Sequence, residues 1–159
     1  MARRGQARIR TIEPDAIYGN EMVAKLINRA MKDGKKSVAQ KEVYSAFEII
    51  KNETKEEPMA VFERALNNIR PTMEVRSRRV GGAAYQVPMS VRGPRRDSLA
   101  LRWLIELSRK KSNSEFKTYA AKLAAEIMDA ANGEGAAVKK RQDMDRSAEA
   151  NRAFSHFRW

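Results

Sequence analysis

Apolar residues recur at helical spacing along most of this 159-residue chain. In NEMVAKLINRAMKDG, the residues Val23, Leu26, Ile27, Ala30 and Met31 share one face, with Asn20 placed as N-cap and Gly34 as the C′ residue. A second helix follows from about Ser37, with Val43, Ala46, Phe47 and Ile50 on its apolar side. Pro58, tolerated in a first turn, opens a third through Phe62, Ala65, Leu66 and Ile69, and Arg70-Pro71 ends it. Behind Gly93-Pro94 a fourth helix runs through Leu99, Ala100, Trp103, Leu104 and Leu107. Ser112 and Glu115 fit a capping box before a fifth, whose apolar positions Phe116, Ala120, Leu123, Ile127 and Ala131 stop at Gly133 and Gly135. A less regular pattern covers a sixth, roughly Ala136 to Phe154.

The period changes to two in VRSRRVGGAAYQVPMSVR, residues 75 to 92. Residues 73 to 80 read as one strand and 84 to 91 as its return. With an odd loop, Gly81-Gly82-Ala83, the residues Met73, Val75, Ser77 and Arg79 face Tyr85, Val87, Met89 and Val91. Arg76 and Arg78 then share the other face with Gln86 and Ser90. An even loop scrambles both faces, so the pattern predicts an odd, glycine-containing loop with a bulge. Pro88 cannot donate to a ladder and suits an edge. Two strands alone are marginal in water, so the ribbon is expected to project from helices that hold its base.

The expected fold is therefore mainly α. It is a single domain of about six helices with a protruding two-stranded antiparallel β-hairpin, at about 73–91, between the third and fourth. Residues 1–13 form a basic arm and 14–159 the domain; neither an internal repeat nor a break in composition marks a second one.

Charge refines this picture. The net charge is +12. Arg3, Arg4, Arg8 and Arg10 occupy an acid-free stretch, as do Arg76, Arg78, Arg79, Arg92, Arg95 and Arg96, and together they supply ten of those twelve charges. The remaining 125 residues are nearly neutral. Such concentration reads as a footprint on a polyanion rather than charge spread for solubility. Arg95, Arg102 and Arg109 recur every seven residues, close to two turns, and form one stripe on the fourth helix.

Other chemistry is thin. With no cysteine, disulfides, thiolate metal sites and cysteine nucleophiles are excluded. His156 is the only histidine and has neither a metal-ligand companion nor a matched base and nucleophile, so no enzyme, cofactor or metal is expected. GKKS at 34–37 fails as a phosphate loop. Arg29 replaces the upstream glycine, and a second lysine stands where Ser or Thr must follow the Gly-Lys. Lys35 and Lys36 remain candidates for phosphate contacts. GEGAAVKK at 133–140 reads as a turn between helices or a helix start able to hold phosphate. Trp103 belongs to the core, whereas Trp159 either stacks on a base or packs back. LALRWLIEL is too short and too charged to span a bilayer, and the basic N-terminus lacks an apolar h-region. The expected location is the cytoplasm. Nucleic acid is the expected partner, with a DNA-binding regulatory or architectural role as the alternative to RNA binding.

DGKKSVA at 33–39, EVRSRRVGGAAYQVP at 74–88, LALRWL at 99–104 and GAAVKKRQDMDRSAEANRAFSHFRW at 135–159 lie in order along the chain. With these stretches it resembles the family of small-subunit ribosomal protein seven, in its bacterial type. The resemblance implies a helical domain with a protruding hairpin. It implies primary binding to the 3′ major, or head, domain of small-subunit ribosomal RNA, where head assembly begins. It also implies a place near exit-site tRNA and the mRNA path beside neighbouring small-subunit proteins, with no membrane and no stable homo-oligomer. By this likeness Arg78, Arg79, Gly81, Gly82 and Trp159 lie near tRNA and mRNA. Ribosomal RNA would be met by Arg3, Arg4, Arg8, Arg10, Lys35, Lys36, Arg76, Arg78, Arg79, Arg92, Arg95, Arg96, Arg102 and Arg109. The segment at 112–122 is a few residues longer than the family pattern, and no site residues are expected there.

Overall fold

The helical spacing becomes six α-helices in the computed structural model, which describes residue 5 and residues 11–157. They are α1 (Glu21–Ala30), α2 (Lys36–Thr54), α3 (Pro58–Ile69), α4 (Pro94–Lys110), α5 (Tyr119–Ala131) and α6 (Gly135–Ala150). Between α3 and α4 lie β1 (Met73–Val80) and β2 (Ala83–Ser90), paired antiparallel. A 3₁₀ segment, Arg152–Phe157, follows α6. Packing turns on α5, which touches α2, α3, α4 and α6. Phe47, Ile50, Phe62, Leu66, Leu104, Leu123 and Ile127 are fully buried in one core to which all six helices contribute. Each such side chain contributes about 1.5–3 kcal/mol relative to exposure. Trp103 belongs to that core, as its spacing required.

Element ends depart from expectation where tertiary contacts intervene. Asn20 does cap α1, accepting the Met22 N–H at 2.7 Å. Gly34, however, is not its C′ residue. The helix stops at Ala30, whose carbonyl accepts from the Arg109 guanidinium at 2.8 Å, and Asp33 and Gly34 form a left-handed turn ahead of α2. Ser112 and Glu115 do not start α5. Thr118 does, accepting the Ala121 N–H at 3.2 Å, while the Ser112 hydroxyl is used within its own turn, accepting from the Ser114 N–H. α6 begins at Gly135 and ends at Ala150, short of Phe154, where the backbone tightens into the 3₁₀ segment.

The hairpin corrects the loop prediction. Met73 pairs with Ser90, Val75 with Pro88, Arg76 with Val87 and Arg78 with Tyr85, so odd positions meet even ones. The loop is two residues, Gly81-Gly82, both with positive φ (57° and 90°), as a primed hairpin turn demands. No bulge intervenes. The face of Arg76 and Arg78 thus also carries buried Val87 and half-buried Tyr85, not Gln86 and Ser90.

Candidate nucleic-acid interface

The projecting ribbon is fixed at its base. Val87 and Val91 are buried, and α6 packs against β1 while the 3₁₀ segment packs against β2. Tyr85 meets the rings of Phe154 and Phe157 at 5.3 and 5.2 Å between centroids. At the far end Gly81 to Ala84 and Arg79 stand exposed, as do Arg76, Ser77, Gln86 and Ser90 along the strands.

The expected cations fall into two groups. The first is already engaged with the fold. Arg76 and Arg95 both pair with the buried carboxylate of Glu74, Arg95 Nε lying 2.8 Å from Glu74 Oε2. Arg96 Nε donates to the Pro71 carbonyl at 3.1 Å, and Arg109 donates to Ala30 while standing 5.9 Å above the Tyr119 ring. These contacts consume some of the fork of donors and leave the rest facing outward. The second group, Arg78, Arg79, Arg92, Arg102, Lys35 and Lys36, makes no salt bridge among the described residues. All but Arg78 are exposed, and Arg78 is half-exposed. An unpaired, solvated cation is the form in which a side chain can neutralise a phosphate without first breaking a bond. Arg3, Arg4, Arg8, Arg10 and Trp159 lie outside the described residues.

Packing of α1 on α4 adds a cation that sequence reasoning missed. Arg29 donates to Ser98 Oγ at 2.9 Å and lines one hollow with Arg102, Ile105, Arg109, Lys110 and the acid Glu106, which pairs with Lys110. Burial and the neighbouring Arg102 charge lower its pKa, a mark of like charges held together. The α4 stripe is therefore wider than its own helix. Arg29 falls on the polar side of α1, four residues after Lys25, but nothing in the sequence says that this side faces α4.

The start of α6 is not an open phosphate site. Glu126 of α5, wholly buried, accepts the Ala137 N–H at 2.7 Å, so a carboxylate already occupies the helix end. Lys111 neutralises it, with Nζ 3.2 Å from Glu126 Oε2 and 2.8 Å from Asp129 Oδ2. His156 is exposed and spends Nδ1 on the Ala153 carbonyl at 2.8 Å. Among the described residues no group of three His, Asp or Glu could hold a metal, and no helix is long and apolar enough to cross a membrane.

The family described as ribosomal protein S7p/S5e matches residues 2–152. Three relatives, each named small ribosomal subunit protein uS7, align almost end to end. The protein of Caldicellulosiruptor bescii is 57% identical over 159 residues, covering all of both chains. That of Thermotoga petrophila is 55% identical over 157 residues, 99% of each. That of Bifidobacterium longum subsp. infantis is 54% identical over 159 residues, all of both.

Proposed function

From the premise that this chain belongs to the ribosomal protein S7p/S5e family, we propose that it seeds assembly of the head of the small ribosomal subunit by binding the 3′ major domain of its RNA. As a member it is an RNA-binding structural constituent of the small subunit, working in translation and not as an enzyme. The helical body holds the cations in place. Arg79, Arg92, Arg102, Lys35 and Lys36 meet phosphates directly, and Arg76, Arg95, Arg96 and Arg109 offer the donors that their internal bonds leave over. The N-terminal arginines Arg3, Arg4, Arg8 and Arg10 extend the same grip. The tip of the hairpin, with Arg78, Arg79, Gly81 and Gly82, points to exit-site tRNA and the mRNA path, with Trp159 close by. Neighbouring small-subunit proteins complete the surroundings, and the chain acts as a single copy.

The observation that carries this reading is the pairing pattern. Among the described residues Arg78 and Arg79 toward the hairpin tip, Arg92 after it and Arg102 on α4 make no salt bridge, while Arg76 and Arg95 are paired with Glu74 at the hairpin base. Family membership leaves the DNA-binding alternative without support. The test is titration of the protein with deproteinised small-subunit RNA at several salt concentrations, with duplex DNA as competitor. Affinity should fall by roughly 0.7–0.9 log units per log unit of salt for each phosphate engaged. Footprints should lie in the 3′ major domain. Footprints elsewhere, or duplex DNA winning the competition, would refute the proposal.

A further inference from the structure

We propose that a cleft where α1 ends, α2 starts, α4 ends and α5 starts holds a single unpaired nucleotide of RNA, with guanosine preferred. This rests on the RNA-binding reading above and adds a site for one base to a set of phosphate contacts. The cleft encloses about 280 Å³. That is just under the roughly 300–1,000 Å³ of sites for drug-sized ligands, and it suits one heterocycle.

Its walls differ from its rim. Ala30, Val38 and the Tyr119 ring supply apolar surface. Val38 is 56% exposed, an aliphatic side chain held at the mouth of the cleft. The Arg109 guanidinium lies over the Tyr119 ring, so a flat base can extend that stack on the outer plane of the guanidinium. The Tyr119 hydroxyl lies near Ser108 and Arg109, yet it is buried without a well-formed hydrogen bond among the described residues. Lys32 and Lys35 stand at the rim, exposed and without salt bridges among the described residues. Lys35 also precedes the uncapped first turn of α2, where backbone N–H groups favour an anion.

The remaining polar lining group is Glu42. Its Oε2 accepts the Ala120 N–H at 2.9 Å, which fixes the carboxylate at the start of α5. A carboxylate has about four acceptor positions, so capacity remains. This acid sets the orientation and the ligand class. It repels a phosphate from the interior and leaves phosphate to Lys32 and Lys35. It would equally repel the carboxylate of an acidic peptide drawn in by those lysines. What it accepts is N–H donors, and guanine presents two adjacent ones, N1–H and N2–H, on its Watson–Crick edge. That edge is free only in an unpaired nucleotide.

The experiment uses the full chain bound to deproteinised small-subunit RNA. A benzophenone side chain at position 38, already exposed, reports what enters the cleft. Crosslinking should map to one unpaired guanosine. Glu42→Gln keeps an oxygen for the Ala120 N–H but loses the second acceptor, and should weaken binding roughly tenfold with the salt slope unchanged. Lys35→Ala should reduce that slope by about 0.7. Unchanged affinity in E42Q overturns the site, as does crosslinking only to duplex RNA or, in assembled subunits, only to a neighbouring protein. Failure of the unaltered chain to bind the RNA sinks the broader reading and this site with it. Binding that persists while position 38 and E42Q stay silent sinks the site alone.

Discussion

Arg95, in the first turn of α4, reaches the buried Glu74 of β1 with Nε 3.0 and 2.8 Å from its two carboxylate oxygens. Arg76, two residues along the same strand, shares that carboxylate. Glu74 is only 5% exposed, so this is not a solvated surface pair. It ties the hairpin base to the helical body. Arg95→Ala leaves the buried acid with one partner and Glu74→Ala removes the tie, so each should cost about 1–3 kcal/mol in urea unfolding. The double substitution should cost less than the two single ones added, by about 1 kcal/mol or more. Arg92→Ala, at an exposed residue without a salt bridge among those described, should stay within about 0.5 kcal/mol. Strict additivity between Glu74 and Arg95 would show that the tie carries no energy.

Gly135 and Gly133 both have positive φ, 88° and 83°, yet only one is sterically closed. A Cβ on Gly135 would sit 2.9 Å from Asp129 Cβ and 3.3 Å from Glu126 Oε1, whereas nothing lies within 4 Å of one on Gly133. Gly133→Ala should therefore cost only the backbone term, about 1–2 kcal/mol. Gly135→Ala adds a clash with the carboxylate that caps α6, and should lower the melting temperature further, by at least about 3 °C beyond G133A. Equal melting temperatures for the two variants would contradict this account.

Helices were legible where one face alone decides. Phe47 and Ile50, or Leu123 and Ile127, announce a buried stripe whatever they pack against. Ends and register were not, because distant residues decide them. In sequence Ser112 with Glu115 makes the better cap, yet the Glu42 carboxylate on the Ala120 N–H supports the later start at Thr118. The odd-loop prediction puts Arg76 and Arg78 on a face with Gln86 and Ser90, but the two-residue loop sets them across from Val87 and Tyr85, and the buried carboxylate of Glu74 holds Arg76 there. The clustering of arginines along the hairpin and α4 was readable from charge alone. The meeting of Lys35 with Arg109, and of Arg29 with Arg102, was not, since helix packing creates it.

Tyr44 and Lys111 help make the fold sensitive to alkali, and burial raises the pKa of Tyr18 and Tyr119 in the same direction. The Tyr44 hydroxyl donates to Asp15 Oδ1 at 2.7 Å, and burial, then that hydrogen bond, push its pKa up to about 12. Between pH 10 and 12 the unfolded chain gives up this proton while the folded chain keeps it, so stability falls across that window. Lys111 adds to the trend. Burial lowers its pKa, but the hydrogen bonds and charges of Asp129 and Glu126 outweigh this and leave it above the ordinary value. Its stabilising charge is complete below the unfolded pKa and is lost as pH rises through the folded one. Urea midpoints should hold steady at pH 8–9 and drop at pH 11. Tyr44→Phe should show a smaller drop from a lower starting point, and a drop as large as that of the unaltered protein would clear Tyr44 of any part.

Tyr85 joins the hairpin to the end of the chain through Phe154 and Phe157. Each ring pair contributes about 0.5–1.5 kcal/mol beyond burial. The 3₁₀ segment has no fully buried residue, and these ring contacts help attach it to β2. Tyr85→Ala should release it, and chymotrypsin should then cut after Phe154 under native conditions at least about fivefold faster, an acceleration of the size that loss of about 1 kcal/mol of local stability produces. Tyr85→Phe keeps the ring and should be cut at the original rate. Arg78 pairs directly across from Tyr85, so Tyr85→Ala should also weaken RNA binding by loosening that arginine. Resistance to chymotrypsin equal to that of the unaltered chain would mean that something other than the aromatic cluster holds the terminus against the arm.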